Sequence, residues 1–110
     1  MPYLILAFDH PHMDEARENV REAHRAHLAS QGARLLASGA LLEEDSGTII
    51  GGASLLDTED AEEARTFEAD DPYARAGIRK DVTIVPWRLR WWRGMFDADG
   101  WRSTIQSDPG

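Results

Sequence analysis

The chain has 110 residues, a formal net charge of −8 and no cysteine. That length suits one domain with a core of modest volume, and the acidic balance argues against a nucleic-acid partner, because phosphate backbones reward clustered Lys and Arg. Lack of cysteine excludes disulfides, thiolate nucleophiles and cysteine metal sites, and fits a reducing compartment, so the cytoplasm is the expected location.

Tyr3 to Phe8 is an apolar run without helical period and reads as a buried strand stopping at the turn-prone Asp9-His10-Pro11-His12. The stretch before that turn lacks the basic start of a signal peptide, and no apolar run in the chain approaches the ~18 residues of a membrane span, so no membrane partner is expected. Met13 to Gln31 reads as a helix. Met13, Ala16, Val20, Ala23, His27 and Leu28 share its apolar face, and Glu15, Arg17, Glu18, Arg21, Glu22 and Arg25 supply the polar ones. Gly32 is placed to cap that helix in a left-handed conformation. Arg34 to Leu42 is a second strand, with a bulge or close backbone approach expected at Gly39. Glu43 to Gly47 forms a hairpin turn into a third strand, Thr48 to Leu56, interrupted by Gly51-Gly52.

Thr58 is the expected N-cap of a second helix, Ala61 to Ala69, whose acidic first residues favour the positive helix end. Asp71-Pro72-Tyr73 breaks it, and a further helical turn to Ala76 ends at Gly77. Ile78 to Trp92 reads as the fourth strand, with Pro86 demanding an edge or a bulge. Trp87 is expected in the sheet core or a dimer interface. Trp91, Trp92, Phe96 and Trp101 offer a partner surface or a cover for a pocket mouth, and residues 107–110 read as a frayed end.

The order β-α-β-β-α-β is the split pattern of the ferredoxin-like fold, an α+β sandwich in which a four-stranded antiparallel sheet carries two helices on one face. The other face needs a cover as well. Two such sheets packed face to face give a dimeric α/β barrel, so a homodimer is expected.

At about 100° per residue, His24 and His27 both project from the apolar face of the first helix. A core-facing histidine can be a packing residue; a carboxylate at one ring nitrogen instead fixes the tautomer and leaves the other nitrogen as an acid or base. Asp71 is better placed for this than Asp70, because the following proline restricts its backbone and makes it a candidate cap for the next turn. That cap is also its purely structural reading. Ser38, Ser54, Arg21 and Arg34 are candidates for holding a substrate, Ser38 and Arg21 foremost. No nucleophile elbow surrounds either serine, no dinucleotide or phosphate loop is present, and the spacing of His10, His12, His24 and His27 matches no metal-ligand motif. No metal and no cofactor is therefore expected.

Four segments together resemble the YCII-related (YciI-like) family: Arg21-Glu22-Ala23-His24, Leu35 to Leu41, Asp70-Asp71-Pro72-Tyr73-Ala74-Arg75-Ala76-Gly77, and Val82-Thr83-Ile84-Val85-Pro86-Trp87. The resemblance runs from about Pro2 to Arg90, with Glu22 and Ala40 where prolines are frequent. It implies a dimeric ferredoxin-like barrel, a domain over residues 1–92 with 93–110 as its aromatic extension, and a site built on His24 and Asp71, thereby selecting His24 over His27. An activity associated with such proteins is elimination of chloride from a chlorinated hydroxyquinol-type ring. The expectation is a small cofactor-independent enzyme of lyase or isomerase type acting on a small cyclic or anionic ligand. Its rivals are a non-catalytic binding or protein-interaction module and a cofactor-free monooxygenase.

Overall fold

The structure is a computed structural model and describes residues 1–97. Trp101 and residues 107–110 therefore lie outside the described residues. The chain order is β1 (Tyr3–Asp9), α1 (Asp14–Ala29), a 3₁₀ turn (Gly32–Arg34), β2 (Leu35–Leu42), β3 (Ile49–Leu56), α2 (Ala61–Ala69), α3 (Pro72–Arg75), β4 (Arg79–Pro86), β5 (Trp91–Trp92) and β6 (Met95–Phe96). Strands β2-β3-β1-β4 form one sheet of antiparallel pairs, the ferredoxin-like α+β arrangement. No helix among the described residues is long and apolar enough to cross a membrane.

Alternation along β1 divides the molecule into two faces. Ile5 packs with Leu56, Ala64 and Phe67 beneath the helices, joined by Tyr3, Leu28, Leu35 and Ile84. Burying side chains such as Ile5 and Leu56 is worth about 1.5–3 kcal/mol each, and here it clamps α1 and α2 over the centre of the sheet. Leu4 points the other way, into a second cluster with Leu36, Leu55, Leu89 and Trp92. The chain beyond β4 thus folds back over part of the helix-free face, while Phe8 and Val85 remain exposed there.

Local chemistry moves several boundaries from their expected places. Strand β4 stops at Pro86, on the outer edge of the sheet, and its last rung is the bond from Trp87 N to Pro2 O at 2.8 Å. The tryptophans that followed in the expected long strand instead form the β5–β6 hairpin. Its two-residue turn, Arg93-Gly94, has φ of 53° and 82°, the left-handed pair that matches strand twist. Trp87 is 43 % exposed and so lies outside the core, while Trp91 rests on Phe96 with ring centroids 5.1 Å apart. The cap of α2 is Asp60, which accepts from Glu62 N at 2.9 Å; Thr58 lies earlier, accepting from Asp60 N and donating to Glu63. On α1, Ala23 is exposed and Arg17 is buried, the reverse of the expected faces, because Arg17 meets a buried carboxylate.

Gly39 carries no bulge. The register shifts of the edge strand β2 fall between Leu35 and Ala37 and between Leu41 and Leu42. The close approach is at Gly51, where an added Cβ would clash with the backbone oxygen of Ala7. Gly51→Ala should therefore destabilise by about 3 kcal/mol or more. Gly39→Ala, whose Cβ meets nothing within 4 Å, should stay within about 0.5 kcal/mol of wild type; urea denaturation of the two variants checks the contrast.

Candidate active site

A cavity of about 340 Å³ opens between α1, the β2–β3 hairpin and the α2–α3 turn. His24, Arg21, Ser38 and Asp71 all line it, together with Glu68, Tyr73 and Arg79. The four residues singled out from the sequence thus converge on one space.

The α2–α3 turn makes the site. Pro72 at the first position of α3 leaves Asp71 extended, with φ −61° and ψ 128°, as its N-cap. Asp71 Oδ1 accepts from Tyr73 N at 2.9 Å, and the same oxygen lies 2.8 Å from His24 Nδ1. Structural cap and imidazole partner are therefore one atom. The geometry places the proton on Nδ1, donating to the carboxylate, and leaves Nε2 without a hydrogen-bond partner among the described residues. Tyr73 stacks on the imidazole at 3.8 Å and 7°, which fixes the ring plane.

Behind this pair lies a buried ionic cluster. Arg79 Nη1 meets Asp9 Oδ1 at 2.8 Å, its Nη2 stands 3.6 Å from Asp71 Oδ2, and its Nε stands 3.4 Å from Glu68 Oε2. Arg17 holds the other oxygen of Asp9 at 2.9 Å and also pairs with the exposed Asp14. Burial pushes the Asp71 carboxyl up, but the His24 and Tyr73 hydrogen bonds and the charges of His24 and Arg79 outweigh it and hold the group below its ordinary value. Glu68 goes the other way. Burial, opposed by Arg79 and reinforced by the Asp71 charge, pushes it up to about 7.

The remaining histidines and polar candidates have other positions. His27 Nε2 donates to Phe67 O at 2.8 Å and stacks on the Phe67 ring, so it ties α1 to α2. Asp70 is exposed and pairs with Arg75, and Arg34 pairs with Glu63 away from the cavity. His10 and His12 line a separate hollow. Within the main cavity, Ser38 Oγ and Ser54 Oγ share a hydrogen bond at 2.8 Å, and Arg21 pairs with Glu18. No group of three or more His, Asp or Glu side chains among the described residues is arranged to hold a metal ion.

Asp9, Arg17, Glu68, Tyr73 and Arg79 were not singled out from the sequence, although two signals pointed inward. Asp9 continues the alternation of Tyr3, Ile5 and Ala7, and a buried carboxylate requires a cation. Glu68 sits in the last turn of α2, where the helix dipole disfavours an anion.

Removing Arg79 would strand buried carboxylates, so Arg79→Met should cost about 3–5 kcal/mol, measured by urea denaturation at pH 7.5. The two shifted carboxyls predict opposite arms of the stability profile. Glu68, raised from 4.5, contributes stability that is full below 4.5 and lost as pH rises through about 7. Asp71, lowered from 3.8, contributes stability present above 3.8 and lost as pH falls through its folded value. Denaturation between pH 3 and 9 should show Glu68→Gln flattening the upper arm and Asp71→Asn the lower one.

The chain is similar to known proteins in sequence, and to one of them in fold as well. A Haemophilus influenzae protein described as uncharacterised is 35 % identical over 95 residues, covering 80 % of this chain and 97 % of its own. Protein YciI of Escherichia coli is 32 % identical over 95 residues with the same coverages of 80 % and 97 %. The 5-chloro-2-hydroxyhydroquinone dehydrochlorinase of Burkholderia phenoliruptrix AC1100, solved with 2,5-dihydroxybenzoquinone, superposes with a TM-score of 0.75 at 26 % identity, covering 81 % of this chain and 95 % of that one. The YCII-related domain model matches residues 1–88, which contain the sheet, both long helices and the His24–Asp71 pair, and the chain belongs to that family.

Proposed function

We propose that the protein is a small cofactor-independent enzyme of lyase or isomerase type, in which His24 moves a proton on a small cyclic, anionic or phenolic substrate and Asp71 orients and charges the imidazole. The observation that carries this reading is the 2.8 Å contact of His24 Nδ1 with a buried, helix-capping Asp71 beside a cavity that His24 itself lines. An imidazole held this way offers Nε2 to a substrate and is stabilised when it becomes positive. Arg21 and the Ser38–Ser54 pair supply a cation and hydroxyls for orientation. The 26 % identity to the dehydrochlorinase supports a hydroxylated aromatic ring as the first substrate to try.

On 5-chloro-2-hydroxyhydroquinone the chemistry balances without an oxidant. A base removes a proton from the hydroxyl beside the chlorine-bearing carbon while that carbon takes up a proton, giving a ketone. Loss of a second hydroxyl proton then forms the other carbonyl, shifts the double bond and expels chloride with the carbon–chlorine electron pair. The products are a hydroxybenzoquinone, chloride and one proton. Each half needs a group that exchanges a proton with the ring substituents, and His24 Nε2 is placed to do so.

The functional unit is proposed to be a cytoplasmic homodimer that covers the helix-free sheet face, where Phe8 and Val85 are each 40 % exposed. Chloride release from anaerobic 5-chloro-2-hydroxyhydroquinone is the direct assay. His24→Ala and Asp71→Asn are each expected to lower kcat by about 10²–10⁴-fold while the proteins stay folded. Folded variants with full turnover would remove the pair from the mechanism. Binding of 2,5-dihydroxybenzoquinone by a wild type that releases no chloride would favour the non-catalytic module.

A further inference from the structure

Elimination of the kind just described needs two proton-exchanging groups, and His24 is one. Glu68 lines the same cavity, with its side chain only 8 % exposed. Its Oε2 and the neighbouring Arg79 Nε, 3.4 Å apart, are too poorly aligned for a hydrogen bond, and neither has another partner among the described residues. A buried carboxyl oxygen with no aligned donor is costly unless the group carries a proton, and the residue that bears it lines the cavity.

The charges of the cluster point the same way. Asp9 and Asp71 balance Arg17 and Arg79 in the buried set, while Asp14 at its edge is solvated. Glu68 is the carboxyl in excess. The set is neutral with the proton on Glu68 and His24 uncharged, and equally neutral with Glu68 ionised and His24 protonated. One proton thus has two seats of equal total charge on opposite ends of the Asp71–Arg79 link.

We propose that Glu68 is the second proton-exchanging residue of this cavity, giving a proton to the substrate or taking one from it while His24 does the opposite. In the elimination above, the protonated Glu68 carboxyl supplies the proton to the chlorine-bearing carbon as His24 Nε2 accepts the hydroxyl proton. Glu68 is left as a carboxylate and His24 as an imidazolium. The second hydroxyl proton then goes to Glu68 as chloride leaves, and the imidazolium proton passes to solvent, which restores both groups. Burial and the Asp71 charge hold the Glu68 proton to about pH 7, within reach of this exchange. The proposal rests on the proton-transfer reading of the site, and it adds a residue that the family resemblance did not supply.

The test uses the full chain labelled with ¹³C at glutamate carboxyls, with the Glu68 signal assigned by its loss in both Glu68→Gln and Glu68→Asp. The expected result is a titration centred near pH 7 and a displaced signal when 2,5-dihydroxybenzoquinone is added. A midpoint in the ordinary carboxylate range overturns the proposal. So does a probe that shifts the His24 ring signals and leaves Glu68 untouched. A probe that moves neither signal overturns both the proposal and the reading on which it rests. In the chloride assay, Glu68→Gln is expected to lower kcat about 10²-fold or more with KM within about threefold, and Glu68→Asp to recover part of it. Full kcat in Glu68→Gln rejects the role. A wild type that binds 2,5-dihydroxybenzoquinone yet releases no chloride overturns the proton-transfer reading and the proposal together, whereas an active wild type beside an equally active Glu68→Gln rejects Glu68 alone.

Discussion

Arg79 stands among three carboxylates from three parts of the chain: Asp9 at the end of β1, Glu68 in the last turn of α2, and Asp71 at the cap of α3. A guanidinium that is 10 % exposed must meet partners in fixed directions, because five rigid donors cannot be resolvated by side-chain motion. This requirement fixes the α2–α3 turn against the sheet. Since Asp71 also holds His24, it fixes the site-bearing face of α1 as well. The apolar cluster around Ile5 supplies the larger share of the packing energy but is indifferent to small rotations of α1. The ionic cluster is not, and it is therefore what aligns an imidazole over a cavity to within hydrogen-bond tolerance.

The Asp71 carboxyl shows why capping a helix and holding an imidazole need not compete. One oxygen accepts two N–H groups, from Tyr73 and from His24, and the second oxygen faces Arg79. A cap whose backbone is restrained by a following proline loses little entropy when it also binds a side chain. The stacked Tyr73 ring then blocks rotation of the imidazole, and the Arg79 guanidinium lies 5.3 Å from the same ring. Tyr73 thus supports the His24–Asp71 pair twice, through its backbone N–H and through its ring.

Much of this was legible in the chain. The β-α-β-β-α-β order follows from periodicity and from punctuation at Gly32, Asp71-Pro72 and Gly77. Asp71 was accessible because proline constrains its backbone in any context. Arg17 and Ala23 were assigned to the wrong faces because a hydrophobic stripe ranks a guanidinium as outward, and only knowledge of the buried Asp9 reverses that. Arg79 and Glu68 were invisible for the same reason: each is polar at a position where only a partner from a distant element justifies burial. The end of β4 was misjudged: Pro86 was correctly placed at a sheet edge, but the strand was carried past it. Arg93-Gly94 held a two-residue turn signal that the run of tryptophans obscured. Choosing between His24 and His27 was beyond periodicity, since both face inward and differ in what they meet: a carboxylate for one, a backbone carbonyl for the other.

Net charge alone misdescribes the cavity. The chain carries −8 overall, yet the wall of the cavity combines Arg17, Arg21, Arg25 and Arg79 with Asp9, Glu68 and Asp71. Four cations face three carboxyls there, and one of the three holds its proton to about pH 7. Charges on the outer surface are screened over roughly 8 Å at physiological ionic strength, whereas those on the wall act across a space from which bulk water is largely displaced once a ligand enters. A phenolate or enolate formed in the cavity consequently experiences the local positive excess more than the distant negative one. The acidic exterior therefore does not argue against an anionic substrate, and Arg21 and Arg25, the wall cations outside the neutral cluster that aligns His24, favour an anion there.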